Sequence, residues 1–171
     1  DIVSSHPRFF EKLVWNKDSL FNKGTPHVVY LGVNEADTQA AVAPDGTPPT
    51  LLAADKKALP AILNTLNGLC NPAYAKSNKA TSVAGLSMAA LTALLEKIQA
   101  ANYAVVVWSA SELAYPNAEL TVQSITQLIA KLNEQTRVAG LSLNSGDGDI
   151  SVNQTSTWLS GFPSRNRFKH Q

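Results

Sequence analysis

The sequence predicts an α/β domain, with three layers (α/β/α) around a mostly parallel sheet. Three observations carry that expectation. Apolar, β-branched runs occur at His27 to Val33, Tyr103 to Trp108 and Arg137 to Leu143. Near-continuous runs of this kind suit parallel strands covered on both faces. Stripes of helical period lie among them, and the second and third runs begin roughly 34 residues apart, the length of one strand–helix–strand unit. Such units cross over right-handed and build parallel sheets.

The elements follow in order. A short amphipathic segment near the start carries Phe9, Phe10, Leu13 and Val14, and the first strand then runs from His27 to Val33. Around Ala40-Ala41-Val42 and Leu51-Leu52, two short strands joined by the Asp45-Gly46 turn are expected. Leu59, Ile62, Leu63, Leu66, Leu69 and Cys70 form one helical stripe. Asp55 suits its cap, Pro60 its first turn, and Asn71-Pro72 its end. Residues 71–85 are polar and small and read as a loop, a seam between two halves of the sheet. Ser87 caps a second helix striped by Leu91, Leu94, Leu95 and Ile98. A third helix, from about Ala118 to Glu134, is striped by Val122, Ile125, Leu128, Ile129 and Leu132. After the last strand, Ile150 to Arg167 shows no helical period and reads as an irregular aromatic tail. It holds Trp158 and Phe162, with Phe168 just beyond, and is expected to pack over its own domain or a partner.

Composition limits the function. The 171 residues are 44% apolar and 16% charged, an ordinary globular balance with enough chain for a core. The net charge of +1 gives no electrostatic case for nucleic acid or an anionic membrane. A single cysteine, Cys70, excludes an internal disulfide and a multi-thiolate zinc site. No apolar run reaches the ~20 residues of a membrane span, and no signal peptide opens the chain. These features predict a cytoplasmic protein, and Asn153-Gln154-Thr155 is then a chance glycosylation pattern. The first residue is Asp rather than Met, which leads us to expect one α/β domain over 1–171, cut from a larger subunit.

Few residues offer chemistry. Gly146-Asp147-Gly148 follows a strand at the edge where open α/β sheets bind ligands. A dinucleotide loop also needs a helix directly after it, and Asp149 to Thr157 does not read as one. Two nearby aspartates repel phosphate, so a plain turn is expected. Gly85-Leu86-Ser87-Met88-Ala89 resembles a loosened nucleophile elbow, but an elbow needs a strand before it. The residues before it are small and polar, and Ser87 reads as a helix cap. His6, His27 and His170 show no metal-binding spacing. Cys70, on an apolar stripe, is expected to be inert. Arg165, Arg167, Lys169 and His170 form a small basic end, read as solvated.

Several motifs together resemble a known family. Ser4-Ser5-His6-Pro7-Arg8 resembles a segment after the first sheet strand in the B-type subunit of formylmethanofuran dehydrogenase. The stretch from Val83-Ala84-Gly85-Leu86-Ser87 through Tyr103-Ala104-Val105-Val106 resembles its second nucleotide-fold unit. The most specific match is Leu132-Asn133-Glu134-Gln135-Thr136-Arg137 before a strand, then Asn153-Gln154, then Thr157-Trp158-Leu159-Ser160-Gly161-Phe162-Pro163. The resemblance spans most of the chain and is weak between Thr38 and Lys79. It implies a Rossmann-like domain of the formate dehydrogenase/DMSO reductase type, from the molybdenum- and tungsten-pterin oxidoreductases. It also implies one of two functions. One branch oxidises or forms formylmethanofuran. A bacterial branch forms a formyltransferase/hydrolase complex, which moves a formyl group from a tetrahydropterin carrier to a methanofuran-like carrier and hydrolyses it to formate.

The residues at the end of the first strand distinguish the branches. The redox branch carries Asp-Pro-Arg there, and the Asp contacts the nucleotide end of the pterin cofactor. This chain has Val33-Asn34-Glu35, although Asp37-Thr38 survives. The resemblance therefore implies the cofactor-free branch: a structural subunit with no metal and no cofactor, whose partners are the other subunits of the complex. His6, Asn34, Asn153 and Gln154 would line its vestigial pocket. Molybdopterin guanine dinucleotide is expected only under the redox alternative, and that alternative's metal-ligand cysteine would lie upstream of residue 1. A generic nucleotide-binding domain is the third possibility.

Overall fold

The computed structural model describes residues 14–15, 26–33, 41–109, 113, 115–143 and 149–162. Strand β1 (Val29–Leu31) pairs in parallel with β2 (Thr50–Leu52). A 3-10 turn (Lys56–Ala58) leads into α1 (Leu59–Leu69), and α2 (Pro72–Ser77) follows at once. Strands β3 (Ser82–Val83) and β4 (Leu86–Ser87) form an antiparallel hairpin that runs directly into α3 (Met88–Ala100). Strand β5 (Ala104–Ser109), helix α4 (Ala118–Leu132) and strand β6 (Val138–Leu143) make one strand–helix–strand unit, with β5 and β6 parallel. Helix α5 (Asp149–Ser160) comes last. The fold is α/β with mostly parallel pairing, as the sequence predicts. Among the described residues the strands pair as three separate two-stranded ladders.

The core lies where α1, α3 and α4 meet one face of β5–β6. Ile62, Leu66, Leu91 and Leu132 are its most deeply buried large side chains, joined by Leu95, Ile125, Leu128 and Val138. Burying a leucine or isoleucine of this kind contributes about 1.5–3 kcal/mol. Ala104, Val106 and Trp108 turn toward this core. Gly140 allows the sheet to close on it: a Cβ there would meet Trp108 ring atoms and Ile129 Cδ1 at 3.0 Å. Because side chains alternate along a strand, Val105 and Val107, with Ala139 and Leu141, take the opposite face. Val107 is 40% exposed. The burial on both faces expected of these runs is therefore not reached: the core-facing Ala104, Val106 and Trp108 are partly buried and Val107 on the other face is exposed.

Helix α1 and helix α4 pack together through polar groups as well as apolar ones. Asn67 donates from Nδ2 to the Ser124 carbonyl at 2.9 Å, and Lys131 Nζ donates to the Asn67 carbonyl at 3.0 Å. Ser124 Oγ donates to the Leu120 carbonyl at 2.9 Å and lies 3.3 Å from Asn64 Oδ1. Where α4 ends, Asn133 joins helix to strand. Its Nδ2 donates to the carbonyls of Ile129 (2.9 Å) and Val138 (2.6 Å), while its Oδ1 accepts from Val138 N at 3.1 Å. Thr136 Oγ1 donates to the Ala101 carbonyl at 2.7 Å, which ties the same turn to the end of α3.

Four expectations are corrected. Residues 71–85 are not simply a loop. Asn71 Oδ1 accepts from Ala73 N at 2.9 Å and starts α2, and Ala84 (φ 51°) with Gly85 (φ 84°) closes the β3–β4 hairpin. Positive φ at both central positions is the type I′ hairpin turn, and alanine at the first of them gives no sequence signal. Second, the Asp45-Gly46 turn forms, with Thr47 N donating to Asp45 Oδ1 at 2.9 Å, but it joins no hairpin. Ala41 and Val42 are not strand, and Leu51-Leu52 pairs in parallel with β1 instead. Pro44, Pro48 and Pro49 remove the donors that a hairpin ladder needs. Third, a strand, β3, does lie before the Gly85-Leu86-Ser87 segment, contrary to the expectation of none, and Ser87 itself ends β4. The Ser87 hydroxyl still serves as the cap, accepting from Ala90 N at 3.1 Å.

The fourth correction is α5, in the segment expected to lack helical order. Val152 and Leu159 are seven residues apart and share one side of the helix with Trp158, while Phe162 follows just beyond its end. Serines and threonines dilute the pattern, but their hydroxyls are satisfied locally. Thr157 Oγ1 donates to the Asn153 carbonyl at 2.8 Å and Ser160 Oγ to the Ser156 carbonyl at 2.7 Å. Of the early amphipathic segment, Phe9, Phe10 and Leu13 lie outside the described residues.

Candidate functional site

In open α/β sheets, ligands bind beyond the carboxyl ends of parallel strands. Here that edge is built from the ends of β5 and β6. Ser109 closes β5 and is 4% exposed. Beyond it come the buried Leu113 and the half-buried Tyr115. The Tyr115 hydroxyl lies 2.7 Å from Thr121 Oγ1, inside the first turns of α4. Asn117 starts α4 in the left-handed region (φ 64°) and makes no side-chain cap bond. Its carbonyl accepts from Leu120 N at 3.0 Å, and the Tyr115 carbonyl accepts from Ala118 N at 3.2 Å. Glu119 occupies the first turn, where a carboxylate complements the helix dipole and opposes an incoming anion. On the β6 side, α5 begins at Asp149. The helix required after Gly146-Asp147-Gly148 is therefore present, which corrects the expectation against it. The loop itself lies outside the described residues.

Among the described residues the edge carries the hydroxyls of Ser109, Tyr115 and Thr121. Among the described residues no group of three or more His, Cys, Asp or Glu side chains is placed to hold a metal. Sequence reasoning missed Ser109, Tyr115 and Thr121. The usable signal was the position of Ser109, directly after the apolar run ending at Trp108.

The predicted site residues are not brought together. Asn153 and Gln154 stand on α5 in exposed positions. His6 and Asn34 lie outside the described residues, as do Glu35, Asp37 and Thr38. His27 lies just before β1, and its Nε2 is 2.8 Å from Thr50 Oγ1, linking the entries of the two strands. Partial burial holds its pKa below the ordinary 6.5, helped by the nearby Lys97 charge. Cys70 caps the end of α1 half-buried. Burial pushes its thiol above the ordinary 9.0, the Lys131 charge lowers it and the Glu134 charge raises it. That environment disfavours the thiolate and agrees with an inert cysteine.

The stripe on α5 is the other prominent feature. Trp158 is 82% exposed and Leu159 84%, with Val152 and Phe162 also exposed. An isolated helix of 12 residues is marginal in water, and helices draw most of their stability from packing an apolar face. Apolar surface of this kind marks interaction sites. No helix among the described residues is long and apolar enough to cross a membrane.

The fold and its edge define an α/β domain with buried hydroxyls at the carboxyl end of β5 and, among the described residues, exposed apolar side chains on α5. No protein-family model and no curated protein match the chain. Among solved structures, a chain of the formyltransferase/hydrolase complex (FhcABCD) of Methylorubrum extorquens, crystallised with methylofuran, has a similar fold. The likeness covers 87% of this chain at 23% identity, with a TM-score of 0.61. It covers 35% of that chain, so the protein spans about a third of its neighbour's length.

Proposed function

We propose that this chain is part of a subunit of a formyltransferase/hydrolase complex in one-carbon metabolism, the B-type subunit, with a structural role and no metal cofactor. The observation that carries it is the fold likeness to a chain of such a complex, over most of this chain's length. The motif order points to the same kind of assembly. The uncovered stripe of α5 supports a role in assembly, because Trp158 and Leu159 need an apolar partner surface. The Asn133 turn, the most specific motif of the resemblance, holds the fold rather than a ligand.

The test is co-expression of the intact protein with the other subunits of the complex, followed by size-exclusion chromatography. Co-elution, lost in the Trp158→Ser, Leu159→Ser double variant, is the expected result. Elution alone overturns the assembly role. Stoichiometric molybdenum or tungsten with a pterin in the purified subunit overturns the metal-free role and favours the formylmethanofuran dehydrogenase alternative.

One observation favours a second reading, a nucleotide-binding domain. Helix α5 follows the Gly146-Asp147-Gly148 segment and β6 precedes it, the order in which helix N-termini hold phosphate. A ligand that binds only the folded state raises its stability by mass action. A thermal-shift panel of nucleotides with no shift counts against it.

A further inference from the structure

Helix α3 has two apolar faces. Leu91 and Leu95 enter the core, while Ala90, Ala93 and Leu94, the last also packed against the core's edge, face a gap lined by Val29, Thr50 and Leu52 of the β1–β2 pair. The alanines are too short to close the gap, and a half-open groove of about 170 Å³ remains. It is smaller than the roughly 300–1,000 Å³ of drug-sized pockets, yet near the ~150 Å³ of an apolar cavity that takes a benzene-sized molecule. A slim occupant is therefore required.

The walls are apolar and one end is cationic. Lys97, two turns along α3 from Ala90, lines the groove and lies close enough to His27 to act on its charge. The His27–Thr50 hydrogen bond sits at the same end. Among the described residues no carboxylate pairs with Lys97. An anionic head there meets the ammonium, while an apolar chain lies against Val29, Leu52, Ala90, Ala93 and Leu94. Lys97 stands in the last turn of α3, where the helix dipole favours a cation and not an anion. The ammonium, not the helix end, must hold the head.

We propose that the groove between α3 and the β1–β2 pair binds a medium-chain aliphatic carboxylate, with the chain between helix and strands and the carboxylate on Lys97. This goes beyond the assembly role and does not depend on it.

The test is equilibrium dialysis of labelled hexanoate against the intact protein, with hexanol and hexylammonium as competitors. Saturable hexanoate binding is expected, with weak competition by hexanol and none by hexylammonium. Lys97→Met keeps the stem and removes the charge. It should weaken binding by about fivefold, the scale of an exposed ion pair. Ala93→Trp fills the groove and should abolish binding. Lys57→Glu, on the 3-10 turn outside the groove, should change nothing. Circular dichroism of each variant establishes that it folds. Absence of saturable binding, equal binding of hexanol, or full binding by folded Ala93→Trp overturns the proposal.

Discussion

Replacing Asn133 by alanine removes three hydrogen bonds where α4 ends, two of which join it to β6. Two are donated by Nδ2, to Ile129 O at 2.9 Å and Val138 O at 2.6 Å, and one is accepted from Val138 N at 3.1 Å. Val138 is buried, so its N–H and carbonyl lose partners that water does not easily replace. At about 0.5–1.5 kcal/mol per bond, the loss is about 2–4 kcal/mol. For a chain of this length that lowers Tm by roughly 4–16 °C. Asn133→Asp is the sharper variant. It keeps the acceptor for Val138 N, but loses both donors and turns a carboxylate toward two carbonyl oxygens, so it should destabilise more than alanine. Urea denaturation of both variants followed by circular dichroism measures the difference. If Asn133→Ala lies within about 0.5 kcal/mol of the parent and Asn133→Asp is no worse, the Asn133 amide is not what clamps helix to strand.

Three further outcomes are expected. Gly140→Ala drives a methyl group into Trp108 and Ile129 at 3.0 Å and should cost about 1–3 kcal/mol by overpacking, partly restored by Trp108→Phe in the same chain; an unchanged denaturation midpoint would refute the close approach. Tyr115→Phe leaves the fully buried Thr121 hydroxyl without its 2.7 Å partner and should cost about 1–3 kcal/mol, while the Tyr115→Phe, Thr121→Val double variant should recover part of it; strict additivity would show that the pair does not interact. His27 has a folded-state pKa below its unfolded value, so its contribution to stability is present above pH 6.5 and is lost as pH falls through the lower folded value; NMR titration of the imidazole should show a midpoint below 6.5, and a midpoint at or above it contradicts the burial and the Lys97 contact.

Elements with strong local signals were legible. The stripes of α1, α3 and α4 predict their buried residues, because apolar side chains recurring at helical period must face one way. Asp55 and Ser87 act as caps, the former accepting from Lys57 N at 2.8 Å. What escaped depended on partners distant in sequence or on unfavoured backbone. The Ala84-Gly85 turn uses a left-handed alanine, a conformation held only by the strands it joins. The pairing of β2 depends on β1, over twenty residues upstream, and the local turn at Asp45-Gly46 pointed to a different partner. Helix α5 was hidden because its polar residues satisfy their own hydroxyls along the helix. At the sheet edge, Tyr115 and Thr121 meet only once α4 is wound, so neither stands out in the sequence.

The sequence by itself determined the α/β class, the three principal helices and the parallel β5–β6 unit, since periodicity and spacing are local properties that short-range sterics enforce. Tertiary structure alone decided which face of β5–β6 packs on the core, how α1 and α4 share their polar seam, and that Trp158 and Leu159 of α5 are exposed. Those outcomes rest on contacts between residues tens of positions apart, whose free energy no local pattern encodes.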